Sequence, residues 1–174
     1  MLKRFFPSCC MDSVYDIPYE SLKASGITAL IFDIDNTLVP HDIPHPTAEV
    51  TALFTRLLGM GFKICLLSNN SAARVAGFND TLQFPNIAKA RKPSRRGIRR
   101  AMALLEAVPA ETVLIGDQIF TDVWGGNRAG IKVILIKPVS ARDEITVRLK
   151  RGVEKMLVNE YLRRQKAEAG KGKR

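Results

Sequence analysis

Short apolar runs that end in polar residues alternate along this chain with longer segments of helical periodicity. The runs ALIFDID (29–35), FKICLLSNN (62–70) and TVLIGD (112–117) are nearly continuously apolar until their last residues. Such runs are typical of strands buried on both faces. Their alternation with helices predicts an α/β fold, with a mainly parallel sheet between two helical layers. Because ligands of such sheets bind at the carboxyl ends of strands, the polar residues there mark a candidate site.

The remaining elements are predicted from periodicity. Apolar residues at i, i+3 and i+4 spacing indicate a helix over 47–60, with Thr47 as its N-cap. The other predicted elements are helices over 71–78, 94–108 and 119–129, strands over 86–90 and 131–137, and a basic amphipathic helix over 143–166. We expect one domain over 1–166 with its core at 27–138, followed by a disordered basic tail over 167–174.

Composition excludes several classes of protein. The three cysteines, Cys9, Cys10 and Cys65, have no zinc-binding spacing and are too few for a disulfide scaffold, which favours a reducing, cytoplasmic setting. The apolar runs are far shorter than the roughly 20 residues that span a bilayer. The opening MLKRFFPSCCM lacks the apolar centre of a signal peptide, so none is expected.

The charge is unevenly distributed. The formal net charge is +10, and residues 146–174 hold ten Lys/Arg against three Glu, a net of +7. The segment 89–100, KARKPSRRGIRR, holds seven basic residues and no acid. Such basic patches predict a phosphate-bearing partner, whether a lipid, a nucleic acid or a small molecule.

Asp33 and Asp35 stand two residues apart where the first strand ends. In an extended strand they share a face, and they repel each other unless a cation lies between them. Mg²⁺ suits such carboxylates, particularly together with a substrate phosphate. One carboxylate can attack phosphorus, while the other serves as general acid and then as base. The alternative is that the pair only caps a turn.

Two later segments offer groups for the same site. Ser68 and the backbone after it can hold a phosphoryl oxygen, and Lys92 can place a positive charge beside it. The alternatives are an ordinary Ser/Asn turn and a solvated surface lysine.

The segment GDQIFTD places Asp117 directly after a strand and Asp122 five residues later. Asp117 can complete a Mg²⁺ site and Asp122 can support it, while Gly116 permits a tight turn. Helix capping by Asp117 is the alternative.

Together, FDIDNTL, the LLSNN strand end, Lys92 and GDQIFTD resemble, in order, the four motifs of the haloacid dehalogenase (HAD) superfamily of phosphohydrolases. The resemblance implies a Rossmann-like α/β/α sandwich, with Asp33 as nucleophile and Asp35 as general acid/base. It implies that Ser68 and Lys92 bind the phosphoryl group, and that Asp33, the Asp35 carbonyl and Asp117 bind Mg²⁺ with support from Asp122. The neighbouring Asn69 and Arg95 are also predicted substrate contacts.

The intervals between these motifs are short. Neither the stretch from Asp33 to Ser68 nor that from Ser68 to Lys92 has room for a cap domain, as in the capless IIIA subclass. An open site favours a large or surface-bound phosphorylated substrate. The segments SVYDIPYESLKASGITALIFDIDNTLVP and GDQIFTDVWGGNRAGIKVILIKPV resemble the YqeG-type family, which is related to phosphatidylglycerophosphate phosphatases.

The resemblance therefore implies Mg²⁺-dependent hydrolysis of phosphatidylglycerophosphate to phosphatidylglycerol. The alternatives are the same chemistry on a phosphoprotein or nucleic-acid phosphate, and a basic nucleic-acid- or ribosome-binding module without turnover.

The basic patch, the C-terminal helix and MLKRFF could contact the inner face of an anionic membrane. For the last two, a core-covering helix and a loose N-terminus are the alternatives. His41 and His45 could contact substrate or metal, or lie in a polar loop, and the oligomeric state is not predicted.

Overall fold

The computed structural model describes residues 2–140, 152, 154 and 156–165. Within these residues, six strands form a single sheet in the order β1-β6-β5-β2-β3-β4, and every neighbouring pair is parallel. The strands are β1 Cys9–Met11, β2 Ala29–Phe32, β3 Lys63–Leu67, β4 Asn86–Ile87, β5 Thr112–Gly116 and β6 Lys132–Ile136.

Helices cover both faces of the sheet. They are α1 Tyr19–Ala24, α2 Ala48–Gly59, α3 Ala72–Asn79, α4 Arg95–Leu104 and α5 Trp124–Ala129, and a C-terminal helix includes residues 156–165. The first three helices pack on one apolar cluster, and α4 packs on a second cluster across the sheet. The predicted three-layer α/β/α fold is confirmed.

Local sequence explains most of these elements. All four residues of β2 are buried, as expected for a central strand covered on both faces. The Thr47 hydroxyl accepts a hydrogen bond from the Val50 amide, as predicted for the N-cap of α2. Between Asp33 and Ser68 the chain forms only loops, α2 and β3, and between Ser68 and Lys92 it adds only α3 and β4.

The boundaries differ from prediction in several places. The sheet reaches back to β1, outside the predicted core of 27–138, because this three-residue edge strand is too short to show periodicity. The predicted helix over 94–108 ends at Leu104. The predicted helix over 119–129 begins with a π-helical turn, Ile119–Val123, before α5.

The N-terminal segment is not loose, and its contact with a membrane stays a prediction. The Phe5 ring packs against Phe120 and Trp124, with centroids 5.6 and 5.4 Å away. The Asn127 side chain donates to the carbonyls of Arg4 and Phe6, at 2.8 and 2.9 Å. Residues 4–6 are therefore held on the protein's own α5 surface.

The C-terminal helix covers the core where it is described. Leu157 and Val158 pack against the second cluster, and the buried Tyr161 donates to the Ser8 carbonyl at 3.1 Å. Residues 1, 141–151, 153, 155 and 166–174, which include the predicted tail over 167–174, lie outside the described residues. No helix among the described residues is long and apolar enough to cross a membrane. All three cysteines are free thiols.

Chain order determines where a ligand can bind. After β2 the chain adds β3 and β4 on one side of it, then returns to place β5 and β6 on the other. The carboxyl end of β2 is therefore a topological switch point, where parallel sheets leave a crevice. Asp33 directly follows β2, between the ends of β3 and β5.

Candidate active site

Three carboxylates converge at the carboxyl ends of the central strands. Asp33, Asp117 and Asp122 are buried, and one oxygen from each lies within 4.8 Å of the others. Asp33 follows β2 and Asp117 follows β5, so the two paired strands bring these residues together. Three buried carboxylates repel one another unless positive charge compensates them.

Lys92 supplies part of that charge. Its ammonium lies 2.6 Å from Asp33 Oδ1 and 2.7 Å from Asp122 Oδ1, and donates to the Leu67 carbonyl at 3.1 Å. Burial lowers the pKa of Lys92, but Asp122 and Asp33 outweigh this effect and raise it, so the ammonium stays charged. The surface-lysine alternative is wrong, because the side chain is buried.

The Asp33 carboxylate carries an unfavourable charge in its buried position. Burial raises its pKa to about 7, Lys92 opposes that shift, and Asp122 adds to it. Additional positive charge near Asp33 would therefore favour the ionised form, which is the form that can attack an electrophile. The turn-capping alternative does not fit a carboxylate that is buried against an ammonium.

Asn69 fixes Lys92 in place. Its side-chain amide donates to the Lys92 carbonyl at 3.1 Å, and its carbonyl oxygen accepts from the Lys92 amide at 2.6 Å. Both polar atoms of the Asn69 side chain are thus hydrogen-bonded to the backbone of Lys92. The structure therefore gives Asn69 a positioning role, whereas the sequence predicted a substrate contact.

Ser68 is buried directly after β3. Its hydroxyl oxygen accepts a hydrogen bond from the Asn70 amide at 3.0 Å, and its backbone pairs with Ile87 and Ala90. Because the oxygen already accepts, the hydroxyl proton can be donated to an anion at the strand ends. This geometry is compatible with the predicted phosphoryl contact.

Asp35 lies apart from the carboxylate cluster and is bound by its own partners. Arg74 contacts Asp35 Oδ1 through two nitrogens, Nε at 3.1 Å and Nη2 at 2.9 Å. The side-chain amide of Asn70 donates to Asp35 Oδ2 at 3.2 Å and also contacts His41 Nε2 at 3.2 Å. The Asp35 side chain is therefore not in the three-carboxylate cluster.

Arg74 is a functional candidate that sequence reasoning missed. It lies on α3, and its Nη1 donates to the Pro44 carbonyl at 2.8 Å, which ties the loop before α2 to Asp35. No local pattern predicts this contact, because the two partners are 39 residues apart. Two nitrogens on one carboxylate oxygen hold the Asp35 side chain in one orientation.

We expect Arg74→Lys to slow turnover by about 10- to 100-fold, because lysine cannot reproduce the two-nitrogen contact that orients Asp35. If Asp35 protonates the leaving oxygen, the loss in kcat/KM, which reports the steps up to departure of the leaving group, will be large for alkyl phosphates and small for nitrophenyl phosphate, whose leaving group needs no proton. Steady-state kinetics on both substrates check this result. Arg56→Lys, on the exposed face of α2, is the control. An equal loss on both substrates would contradict a role through Asp35.

Asp122 is held by its own turn. Its Oδ2 accepts from the Gln118 amide and the Thr121 hydroxyl, both at 3.2 Å. A Cβ on Gly116 would meet the Asp122 carboxyl carbon at 2.4 Å. The predicted glycine is needed for this close approach rather than for a tight turn.

Asp117 does not act as the helix cap. The amides of Ile119 and Phe120 instead donate to Glu154 from the C-terminal helix, at 2.9 and 3.3 Å. The Asp117 carboxylate contacts the buried Thr37 hydroxyl, which lies 3.4 Å from Asp117 Oδ1 and 3.5 Å from Asp33 Oδ2. Thr37 was missed by sequence reasoning, although its position four residues after Asp33 could have indicated it.

The remaining predicted residues lie outside the cluster. Arg95 is the exposed first residue of α4. His41 reaches Asp35 only through Asn70, and His45 contacts the Gly77 carbonyl at 3.2 Å. Trp124 begins α5 and its ring packs against Phe5.

The donor set fits a hard divalent cation. Asp33, Asp117 and Asp122 offer carboxylate oxygens within 4.8 Å of one another, and oxygen ligands are those that Mg²⁺ prefers. Lys92 offsets only part of their negative charge, so a cation would also oppose the burial and the repulsion from Asp122 that raise the Asp33 pKa.

Known proteins with similar sequences identify the relatives of this chain. A family model of HAD-hydrolase-like proteins matches residues 89–150. The Bacillus subtilis protein named "Probable phosphatase YqeG" is 38% identical over 94% of this chain and 96% of its own length. The phosphatidylglycerophosphate phosphatase 1 of Arabidopsis thaliana chloroplasts and mitochondria is 30% identical over 87% of this chain and 47% of its own length.

Solved structures agree with the fold. The crystal structure of CbbY from Rhodobacter sphaeroides matches with a TM-score of 0.51 and 13% identity, over 68% of this chain and 90% of that one. This chain therefore belongs to the HAD-like hydrolases and is a phosphatase of the group that includes Bacillus subtilis YqeG.

Proposed function

We propose that this protein is a Mg²⁺-dependent phosphomonoester hydrolase that works through an aspartyl-phosphate on Asp33. The observation that carries the proposal is the buried Asp33 carboxylate, 2.6 Å from Lys92 and within 4.8 Å of Asp117 and Asp122. A nucleophile beside fixed positive charge is suited to attack an anionic phosphate. A binding module without turnover has no need of such a buried, charge-coupled group.

The reaction takes two steps. Asp33 attacks phosphorus and forms the acyl phosphate while the bond to the leaving oxygen breaks, and Asp35 donates a proton to that oxygen. Asp35 then takes a proton from water, whose oxygen attacks phosphorus, so that phosphate leaves and the Asp33 carboxylate returns. Arg74 donates its hydrogen bonds to Asp35 Oδ1, whereas Oδ2 accepts a hydrogen bond from the Asn70 side chain. Oδ2 is therefore the oxygen that transfers the proton.

Other side chains bind the phosphate. Lys92 places its ammonium beside the attacking oxygen, and the Ser68 hydroxyl donates to a phosphoryl oxygen. Asp33, Asp117, Asp122 and the Asp35 carbonyl would hold Mg²⁺, which when bound shields the phosphate charge from these carboxylates.

Mg²⁺ is expected to raise the melting temperature of the protein, because a ligand of the folded state stabilises it by mass action. At about 100 times the dissociation constant the gain is about 2.7 kcal/mol. Thermal melts with and without Mg²⁺ check this without any substrate. Asp117→Asn should lose most of the gain, whereas Asp42→Asn, in an exposed loop, should keep it. An equal gain for both variants would contradict the proposed ligand set.

We propose phosphatidylglycerophosphate as the substrate. The Arabidopsis relative named for that activity supports this choice. The short intervals between the site residues hold only α2, α3 and the neighbouring strands, so they contain no cap domain. A site without a cap is open, which also supports a large substrate.

The test is phosphate release from phosphatidylglycerophosphate in mixed micelles, with and without Mg²⁺, beside a soluble aryl phosphate. Strong Mg²⁺-dependent release from the lipid, far above that from the aryl phosphate, is expected. Release from the aryl phosphate alone would reject the lipid and leave a phosphoprotein or nucleic-acid phosphate as the substrate. No release from either would reject the enzyme mechanism.

We also propose that the exposed arginines of α4 dock the enzyme on the cytoplasmic face of an anionic membrane. Arg95, Arg96, Arg99 and Arg100 are exposed, and no acidic residue occurs between 88 and 105. Each such charge near an anionic surface contributes about 1 kcal/mol. Co-sedimentation with phosphatidylglycerol vesicles should weaken when Arg96, Arg99 and Arg100 are changed to Gln. Unchanged sedimentation, or binding to nucleic acid instead of vesicles, would reject the membrane contact.

A further inference from the structure

An apolar cavity of about 590 Å³ lies beside the candidate active site, where β1 and β6 end. Met11, Leu135 and Ile136 form the strand side of its wall, and Val158 and Leu162 face it from the C-terminal helix. Its volume is within the range of sites that hold small molecules. The phosphatase chemistry derived above does not use this space.

Asp117 joins the cavity to the active site. It is one of the three clustered carboxylates, and it also lines the cavity. Ile119, just beyond it on the π-helical turn, is a second lining residue. A ligand whose phosphate lies at the cluster can therefore extend past Asp117 into an apolar space.

The cavity also carries charged groups. Lys137 and Asp12 line it and form an exposed ion pair of 2.7 Å. An exposed pair of this kind contributes little stability, so Lys137 can exchange Asp12 for an anionic group of a ligand at small cost. One of the clustered carboxylates, a lysine and an apolar wall thus line the same cavity.

We propose that this cavity binds an acyl chain of a phospholipid whose terminal phosphate reacts at Asp33. The proposal rests on the proposed function and extends it, since it assigns the part of the substrate that lies away from the reacting phosphate. The acyl chain is the part of a phospholipid that matches the apolar wall, because its burial removes apolar surface from water. The Lys137 ammonium can pair with the anionic phosphodiester that lies between the acyl chain and the terminal phosphate.

Val158→Trp tests the assignment by filling the cavity from the helix side. Its matched control is Met156→Trp, on the same helix, where the native side chain is 70% exposed and does not line the cavity. Each protein is assayed with Mg²⁺ on dioleoyl phosphatidylglycerophosphate in mixed micelles and on the deacylated head group, which carries the same phosphomonoester. Melting temperatures establish that each variant is folded.

We expect Val158→Trp to lower kcat/KM for the lipid by about tenfold, the loss that follows when roughly two methylene groups are kept from burial. Its rate on the head group should match wild type, and Met156→Trp should match wild type on both substrates. Wild-type kinetics of Val158→Trp on the lipid would overturn the acyl-chain site and leave the proposed function intact. A wild-type enzyme that hydrolyses neither substrate would instead overturn the proposed function.

A second measurement does not depend on the folding of a cavity variant. A phosphatidylglycerophosphate analogue with a diazirine in its acyl chain is bound to Asp33→Asn protein, so that the head group stays intact, and is then photolysed. We expect cross-links to peptides that contain Met11, Ile136 or Val158. Cross-links confined to other peptides, such as that of α4, would overturn the assignment.

Discussion

Asp33→Asn is expected to lower phosphate release by about 10⁴-fold or more, because the amide cannot form the acyl phosphate. The substitution keeps the shape of the side chain and removes one of three buried negative charges. Lys92 keeps its contact with Asp122 at 2.7 Å, so its ammonium is not left without a partner. Initial rates with saturating Mg²⁺ measure the effect.

The same variant should not be destabilised when metal is absent. The folded-state pKa of Asp33, about 7, lies above its ordinary value of 3.8. The folded protein therefore binds more protons than the unfolded chain between these values, and stability falls as the pH rises through that window. Asparagine removes this loss, so above neutral pH the metal-free variant should melt at or above the wild-type temperature. Asp42→Asn, in an exposed loop, is the control for both measurements. A variant that retains more than about 1% of wild-type turnover would contradict nucleophilic attack by Asp33.

Lys92→Met is expected to reduce both stability and activity. It removes the ammonium that lies 2.6 Å from Asp33 and 2.7 Å from Asp122, and leaves buried carboxylates without compensation. Removing one partner of a buried ion pair costs about 3–5 kcal/mol. For a protein of this size we expect a melting temperature lower by about 10 °C. Turnover should fall by about 10²- to 10³-fold, because a charge fixed beside the reacting phosphate is lost.

Mg²⁺ distinguishes this explanation from simple loss of packing. A cation among the carboxylates replaces part of the missing charge, so it should raise the melting temperature of Lys92→Met more than that of wild type. Lys89→Met, an exposed lysine of the same basic segment, should melt within about 2 °C of wild type, since surface substitutions change stability little. If Lys92→Met melted at the wild-type temperature, the charge account of the site would be wrong.

The sequence predicted the fold and the cluster for the same physical reason. Apolar runs that end in Asp33, Ser68 and Asp117 indicate parallel strands, and parallel strands bring their carboxyl ends to one edge of the sheet. Lys92 could be placed there only through its resemblance to a family motif. The other basic residues of that segment are solvent-exposed, whereas Lys92 is buried against Asp33 and Asp122.

Contacts between distant segments were not predictable in this way. Arg74 meets Asp35 across 39 residues, and Asn69 meets the Lys92 backbone across 23. The short strand β1 and the packing of Phe5 on Trp124 depend on neighbours from the other end of the chain. Periodicity reports on which face of an element is buried, whereas these contacts depend on how the elements are assembled.

Trapping the covalent intermediate tests the account most directly. Protein incubated with Mg²⁺ and a reactive aryl phosphate is quenched with borohydride, which reduces an acyl phosphate to an alcohol, and its peptides are then sequenced by mass spectrometry. The account predicts homoserine at Asp33, dependent on substrate and Mg²⁺, with Asp35, Asp117 and Asp122 unchanged. An enzyme that turns over without any modification at Asp33, or with the modification at another carboxylate, would contradict it.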